Sequence, residues 1–381
     1  MIHIAVKANS PLALPSYHFV SNEIETLDYI PGSAFRGAVA YKLGEELGYD
    51  SPKFKEIFIN GKVKFGNLYL LREGQAYPIP KSAKSCKYKD GFRGHGVIDF
   101  LLPTVKFMLA KDASVLPVSC PICEAPFDTF SGFYTKGGKR VEPTKRLITR
   151  TSIDERTLTA REGFLYSMEV IEEDQEFYGI LDGDLLVIEN GEIKYENTTI
   201  LRKRETLWVG LGKTRGLGNI KITEIENLES IFPPELVLSA VEKRFSKFQE
   251  KSSPLNIKGF SITLYSDAII MDKFMRYKSC IDEQYLREEF DLDNVKLICA
   301  FNSMRAILGW NTAWGLPKEK ELAIEKGSTF FFSCAAEGKN LIGTLERIET
   351  EGIGLRREEG FGRVFVCDPF HIENLPQDWE V

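Results

Sequence analysis

The sequence predicts an α+β protein made of two similar domains in tandem. Three observations lead there: a glycine-framed basic motif occurring twice, an alternating strand pattern opening each half, and helix-period patterns between them. Residues 210–218 read Gly-Leu-Gly-Lys-Thr-Arg-Gly-Leu-Gly, and residues 352–362 read Gly-Ile-Gly-Leu-Arg-Arg-Glu-Glu-Gly-Phe-Gly. In each copy two Gly-x-Gly pairs enclose basic residues, and a β-type run follows, Ile220 to Ile222 or Val364 to Val366. Successive backbone N–H groups in such loops form a concave anion site. Gly212, Lys213, Arg215 and Gly216 are therefore candidate phosphate-binding residues, and Arg356 and Arg357 add charge beside the second copy. The plainer alternative is a pair of glycine-rich hairpin turns. A P-loop is excluded because Leu207 stands where its first glycine is required. A dinucleotide fingerprint fails at Arg215, and a β-type segment follows where a helix is needed.

The elements follow in order. Ile2, Ile4 and Val6 alternate as a half-buried strand, and so do Phe260, Ile262 and Leu264. After the first strand, Ser33 is a plausible cap for a helix placing Phe35, Val39, Leu43 and Leu47 on one face. Arg36 lies in its first turn beside exposed N–H groups and joins the candidate anion-binding residues. Residues 72–160 read as an irregular, basic, cysteine-bearing insertion. Phe164, Tyr166, Met168 and Val170 then alternate as a strand. A second helix starts near Pro234 and carries Leu238, Val241, Phe245 and Phe248. Lys251-Ser-Ser-Pro254 reads as a linker, so the domains are expected at 1–250 and 251–381.

At 381 residues the chain is long enough for two cores. No run of 18 apolar residues is present, so no membrane span is expected. The strand-like start lacks a signal-peptide pattern, and the expected location is cytoplasmic. The formal charge is −6, yet windows 81–95, 136–161 and 202–221 carry +4, +5 and +5. Three such segments in an otherwise acidic chain point to an anionic partner, because screening makes the local patch matter more than the sum. Lys136, Lys139, Arg140, Arg150, Arg156 and Arg161 are the candidates in the middle window. Simple solvated faces are the alternative.

Cys120-Pro-Ile-Cys123 has the spacing of a zinc knuckle, with Cys86 and His95 upstream as the remaining ligands of a tetrahedral zinc site. A redox pair or inert thiols are the alternatives. The other cysteines sit in apolar or strand-like surroundings, and a disulfide framework is not expected. Acid–base catalysis needs paired titrating groups within reach. No such constellation surrounds His3, His18 or Asp28, so no catalytic residue is expected.

These motifs carry a resemblance. Ile30-Pro-Gly-Ser-Ala-Phe-Arg-Gly37 followed by a helix, with Gly210 to Gly218, resembles the RAMP superfamily of CRISPR effector subunits. The stretch Thr151 to Gly163 is similar to one in type III members. Gly309-Trp-Asn-Thr-Ala-Trp-Gly-Leu-Pro-Lys318, Ala323 to Ser328 and Glu359 to Val364 most resemble the subtype III-D Csx-ten, Cas-five-like family. The resemblance implies two ferredoxin-like (RRM-like) domains and a non-catalytic role holding the 5′ tag of a guide RNA (crRNA). The implied partners are other RAMP subunits and the large subunit, with target RNA nearby. Some relatives cleave RNA, so a RAMP-type endoribonuclease using His18 or Asp28 is the alternative.

Overall fold

The computed structural model describes residues 1–16, 23–111, 116–154, 156–227, 241–252, 257–311, 314–334 and 339–376. Strand β1 (Ile2–Ala8) leads to helix α1 (Gly32–Leu47), then to β2 (Lys64–Phe65) and β3 (Tyr69–Leu70). An excursion contains β4 (Ala83–Cys86), β5 (Val97–Asp99), α2 (Leu101–Ala110), β6 (Phe127–Thr129) and the long hairpin of β7 (Lys145–Ile153) and β8 (Ala160–Ile171). The chain returns as β9 (Glu176–Asp182). A three-stranded meander follows, β10 (Leu186–Glu189), β11 (Glu192–Tyr195) and β12 (Thr198–Arg202), before β13 (Thr206–Trp208) and β14 (Asn219–Asn227). The main sheet runs β13-β14-β1-β9-β2, with β3 also on β9, and its pairs are antiparallel.

The second half comprises α3 (Val241–Ser252), β15 (Gly259–Leu264), α4 (Glu283–Phe290) and β16 (Val295–Phe301), then the hairpin β17 (Met304–Ile307) and β18 (Glu321–Ile324). It ends with β19 (Thr329–Cys334), α5 (Lys339–Glu351), β20 (Val364–Val366) and α6 (Phe370–Glu373). Its sheet runs β16-β19-β15-β20, also antiparallel. The sequence of β15, α4, β16, β19, α5 and β20 is a β-α-β-β-α-β unit. The first half repeats that order, except that the meander β10–β12 stands in for the second helix. Ile193, Tyr195, Ile200 and Leu201 fill the first core where that helix would pack.

Several sequence expectations shift. Helix α1 buries Phe35, Val39 and Leu43 at four-residue intervals, but Leu47 is exposed in its last turn. Ser33 lies inside the helix; Pro31 precedes it, and the Gly32 N–H donates to the Asn67 side chain at 2.7 Å. A side chain from another element thus does the capping. The strands read as half-buried are buried on both faces. Behind β1, His3 stacks on Tyr178, and the Tyr69 hydroxyl donates to the Tyr265 carbonyl of the second half. The far side of this sheet therefore faces the other half rather than water.

The expected boundary at residue 250 falls inside α3, which places Val241 and Phe248 in the second core. Lys251 and Ser252 end that helix; Ser253, Pro254 and Leu238 lie outside the described residues. The excursion is longer and more ordered than an irregular 72–160 segment. Its helix α2 sends Leu101, Leu102 and Val105 into the second core, and Tyr77, Ile79, Val97, Phe130 and Tyr134 pack with Tyr265, Phe365 and Phe370. Apolar burial divides the excursion: these residues pack on the second half, whereas Phe133, Val141 and Ile171 join the first core and Met168 and Val170 pack with Ala13 and Leu217.

A buried polar network locks that attachment. His371, near the end of the sequence, is fully buried, with Nδ1 3.1 Å from Asp99 and Nε2 2.9 Å from the Thr263 hydroxyl. Burial alone would lower its pKa, but the charge and hydrogen bond of Asp99, with Asp368, raise it above 6.5. A raised folded pKa means the pair's stabilisation is fully present below about pH 6.5 and fades as pH rises through the folded value. Asp99→Asn is expected to destabilise the protein by roughly 3 kcal/mol at pH 6. The gap from wild type in urea midpoint should be smaller at pH 9. A gap independent of pH would show that His371 is neutral throughout.

Candidate nucleic-acid interface and metal centre

The two glycine loops superpose in hydrogen bonding, with a register that differs from the sequence match. Gly218 N–H donates to Pro11 O and Leu211 N–H to Ala13 O; Gly362 donates to Asp267 O and Leu355 to Ile269 O. Leu12 pairs with Ile171, the end of the first hairpin, just as Ala268 pairs with Ile324, the end of the second. Residues 209–218 therefore correspond to 353–362. In this alignment the helical turn Lys213–Arg215 matches Arg357–Glu359, and Gly212 matches Arg356, both in the left-handed region at φ 79° and 57°. Glycine is compulsory at 218 and 362, where an added Cβ would run into the carbonyl of Val209 or Ile353.

The correspondence exposes a divergence in charge. Lys213, Thr214 and Arg215 of the first loop align with Arg357, Glu358 and Glu359 of the second. Arg356 pairs with Glu321 and, at 2.6 Å, with Glu359, which also holds Lys318 at 2.9 Å. Burial opposes ionisation of Glu359, but Arg356 and Lys318 hold its carboxyl below the usual range. Arg357 pairs with Glu289. The second loop is thus neutralised by Glu359 of its own and by Glu289 and Glu321 from elsewhere in the chain. It also packs between the halves, with the Glu359 carbonyl close to Gly32 and with Gly360 against Phe65.

The first loop keeps its cations outward. Lys213 and Arg215 are exposed, and among the described residues the Arg215 guanidinium hydrogen-bonds the Tyr166 hydroxyl, at 3.0 Å. Leu217 packs with Met168 and Val170 under hairpin β7–β8. The loop and the hairpin therefore form one surface. Arg150 lies on β7 opposite Tyr166, and Arg156 is exposed at the hairpin tip. Arg161 lies on β8, its side chain outside the described part. Tyr166 was seen in the sequence only as a strand residue; its pairing with Arg215 required the fold.

Other candidates are committed elsewhere. Arg36 donates to the Phe58 carbonyl and sits 3.9 Å from Glu359, so it does not face an open helix end. Lys139 pairs with Glu73, and Arg140 pairs with Glu142 at 2.7 Å beside the Phe130 ring. Lys136 is exposed and also engaged within the chain. Tyr134 is a buried core ring.

The cysteine ligands do converge. The ligand atoms of Cys86, His95, Cys120 and Cys123 all lie within 4.8 Å of one another. Cys86 Sγ is 3.5 Å from Cys123 Sγ, and Cys120 Sγ is 3.5 Å from His95 Nδ1. Both separations are non-bonded, the sulfur–sulfur one far beyond a disulfide bond of about 2.05 Å. They match the edges, about 3.5–3.8 Å, of a tetrahedron with metal–sulfur bonds of about 2.3 Å. Desolvation opposes ionisation of Cys86, yet the backbone N–H groups of Lys89 and Tyr88, with Cys123 and His95, bring its thiol down to about 6. This donor set fits a metal ion.

Asp28 borders a cleft of about 700 Å³ between the halves, lined also by Glu25, Lys145, Glu169, Arg305 and Lys326. It pairs with Lys145 at 2.7 Å, and Lys145 also contacts Glu169 at 3.1 Å. His18 lies outside the described residues. His3 is buried, with its pKa lowered to about 3 by desolvation, then by Arg363 and the N-terminus, so it stays neutral. Among the described residues no helix is long and apolar enough to cross a membrane.

Curated protein sequences yield no match. Among solved structures, a chain of the type III-B Cmr-beta complex bound to cognate target RNA is 13% identical. That alignment covers 95% of this chain and 96% of that one at a TM-score of 0.47. A chain described as Cmr4 is 12% identical, with 59% and 98% covered at a TM-score of 0.25. The RAMP superfamily profile matches residues 6–221, more than half of the sequence. The chain belongs to the RAMP superfamily.

Proposed function

We propose that this chain is a non-catalytic, RNA-binding structural subunit of a type III CRISPR effector complex, of the III-D, Cas-five-like kind. In this reading two tandem ferredoxin-like domains hold the 5′ tag of the guide RNA and contact neighbouring subunits, the large subunit among them. Target RNA lies nearby. The observation that carries the reading is the asymmetry of the duplicated loops. The first keeps Lys213 and Arg215 exposed beside an arginine-bearing hairpin, while the second has spent its cations on Glu289, Glu321 and Glu359. Family membership and the sequence motifs support RNA as the anion. The Cys86, His95, Cys120 and Cys123 cluster is read as a structural zinc site, since a closed set of three thiolates and one imidazole leaves no open coordination position. The pairing of Asp28 with Lys145 supports a structural role for that carboxylate.

Phosphate contacts position RNA without reading its bases. Lys213→Ala with Arg215→Ala should therefore weaken binding by about the same factor for unrelated single-stranded RNAs. The slope of log affinity against log salt should fall by about 1.4, at roughly 0.7 per phosphate contact. An unchanged slope would remove the loop from the interface. Charge reversal at Arg356 and Arg357 should leave the slope unchanged. Labelled repeat RNA incubated with the protein, with and without EDTA, should stay intact; specific cleavage lost on Asp28→Asn would establish the endoribonuclease reading instead.

A further inference from the structure

We propose that the loop between Cys86 and His95 is a second contact for single-stranded RNA, with Tyr88 stacking on a base and Lys87, Lys89 and Arg93 facing phosphates. The proposal rests on the RNA-binding reading above. The loop is held at both ends by members of the metal-ligand cluster. It is fixed internally as well: Gly91 N–H donates to the Ser85 hydroxyl at 2.8 Å, and His95 N–H to Lys89 O at 3.0 Å. The backbone N–H groups of Tyr88 and Lys89 point inward to the Cys86 sulfur.

Its two aromatic residues part company. Phe92 turns inward, against Phe130, Tyr134 and Phe370 with ring centroids 5.5, 6.1 and 6.4 Å away. The Tyr88 side chain turns outward and is 76% exposed, with no hydroxyl or ring partner among the described residues. A rigid backbone carrying an outward phenol ring is a preformed stacking face, and base stacking on aromatics tolerates any sequence. The charge agrees. Lys87, Lys89 and Arg93 are exposed and form no ion pair among the described residues, whereas nearby Lys81 and Lys139 are paired with Glu325 and Glu73. Asp90 is the one acid in the loop. Three exposed cations on the loop that carries an exposed ring suit a polyanion with bases to stack, and zinc knuckles are an established module of that kind.

The test uses the full chain and fluorescence anisotropy with labelled single-stranded RNA of mixed sequence. Tyr88→Ala should weaken binding about tenfold, Tyr88→Phe should restore it, and Lys87→Ala with Lys89→Ala and Arg93→Ala should lower the salt slope by about 2. Chelation with 1,10-phenanthroline should reproduce the Tyr88→Ala loss. The Lys213→Ala, Arg215→Ala variant is measured alongside. If that variant weakens binding and the knuckle variants do not, this proposal alone fails. If wild type binds no RNA, both readings fail. Loss of a co-purifying protein with unchanged RNA affinity would assign the loop to a protein partner and overturn the proposal.

Discussion

Purified protein is expected to carry about one zinc ion per chain, and Cys120→Ser with Cys123→Ser should release it. Structural zinc contributes an apparent 10–16 kcal/mol at neutral pH in small finger domains, roughly the whole stability of a domain. The cluster here has little else to hold it: Cys86, Cys120, Ala125 and Phe127 form a small satellite apart from the main cores. Without the metal, three thiols and an imidazole would face one another with no bonding cation between them. The apolar part of the excursion is anchored independently through Tyr77, Ile79, Val97 and Phe130. Lost order should therefore be confined to about residues 86–96 and 116–127, read by metal analysis and amide hydrogen exchange. Global unfolding should occur near the wild-type denaturant concentration. A metal-free wild type with fully protected amides in these segments would end the zinc reading.

Glu349→Ala should be the most damaging substitution in the second core, costing about 3–5 kcal/mol. Glu349 and Arg244 are almost wholly buried, with Oε2 2.5 Å from the guanidinium. The same oxygen accepts the Val366 N–H at 2.9 Å, and Arg244 donates back to the Val366 carbonyl at 3.2 Å while lying 4.0 Å over the Phe365 ring. Removing the carboxylate leaves a guanidinium stranded in apolar surroundings. Arg244→Met combined with Glu349→Leu should recover most of the loss, because desolvating a charge pair offsets much of its attraction. Equilibrium urea unfolding reads both. A loss below 1 kcal/mol for Glu349→Ala would mean that water reaches the site or α3 detaches, and α3 would then not belong to the second half.

The sequence by itself determined what local chemistry dictates. Doubled glycine pairs specify left-handed turns, because no side chain fits at Gly218 or Gly362. The four-residue spacing of Phe35, Val39 and Leu43 gave helix α1 its buried face, and the Cys-x-x-Cys pair with Cys86 and His95 named four side chains that do meet. What sequence could not carry was partnership across long separations. Arg36 reads as a free cation until Phe58 and Glu359 arrive beside it, and His371 reads as tail until Asp99 and Thr263 enclose it. The packing of α2 and of Tyr77, Ile79, Val97 and Phe130 against the second half, and α3's place in that core, depended on where apolar area is best removed from water. Burial and ion pairing are summed over neighbours in space. Glu358 and Glu359 already mark the second loop as near charge balance in the sequence; the tertiary structure added the distant partners, Glu289, Glu321 and Lys318, that complete its neutralisation.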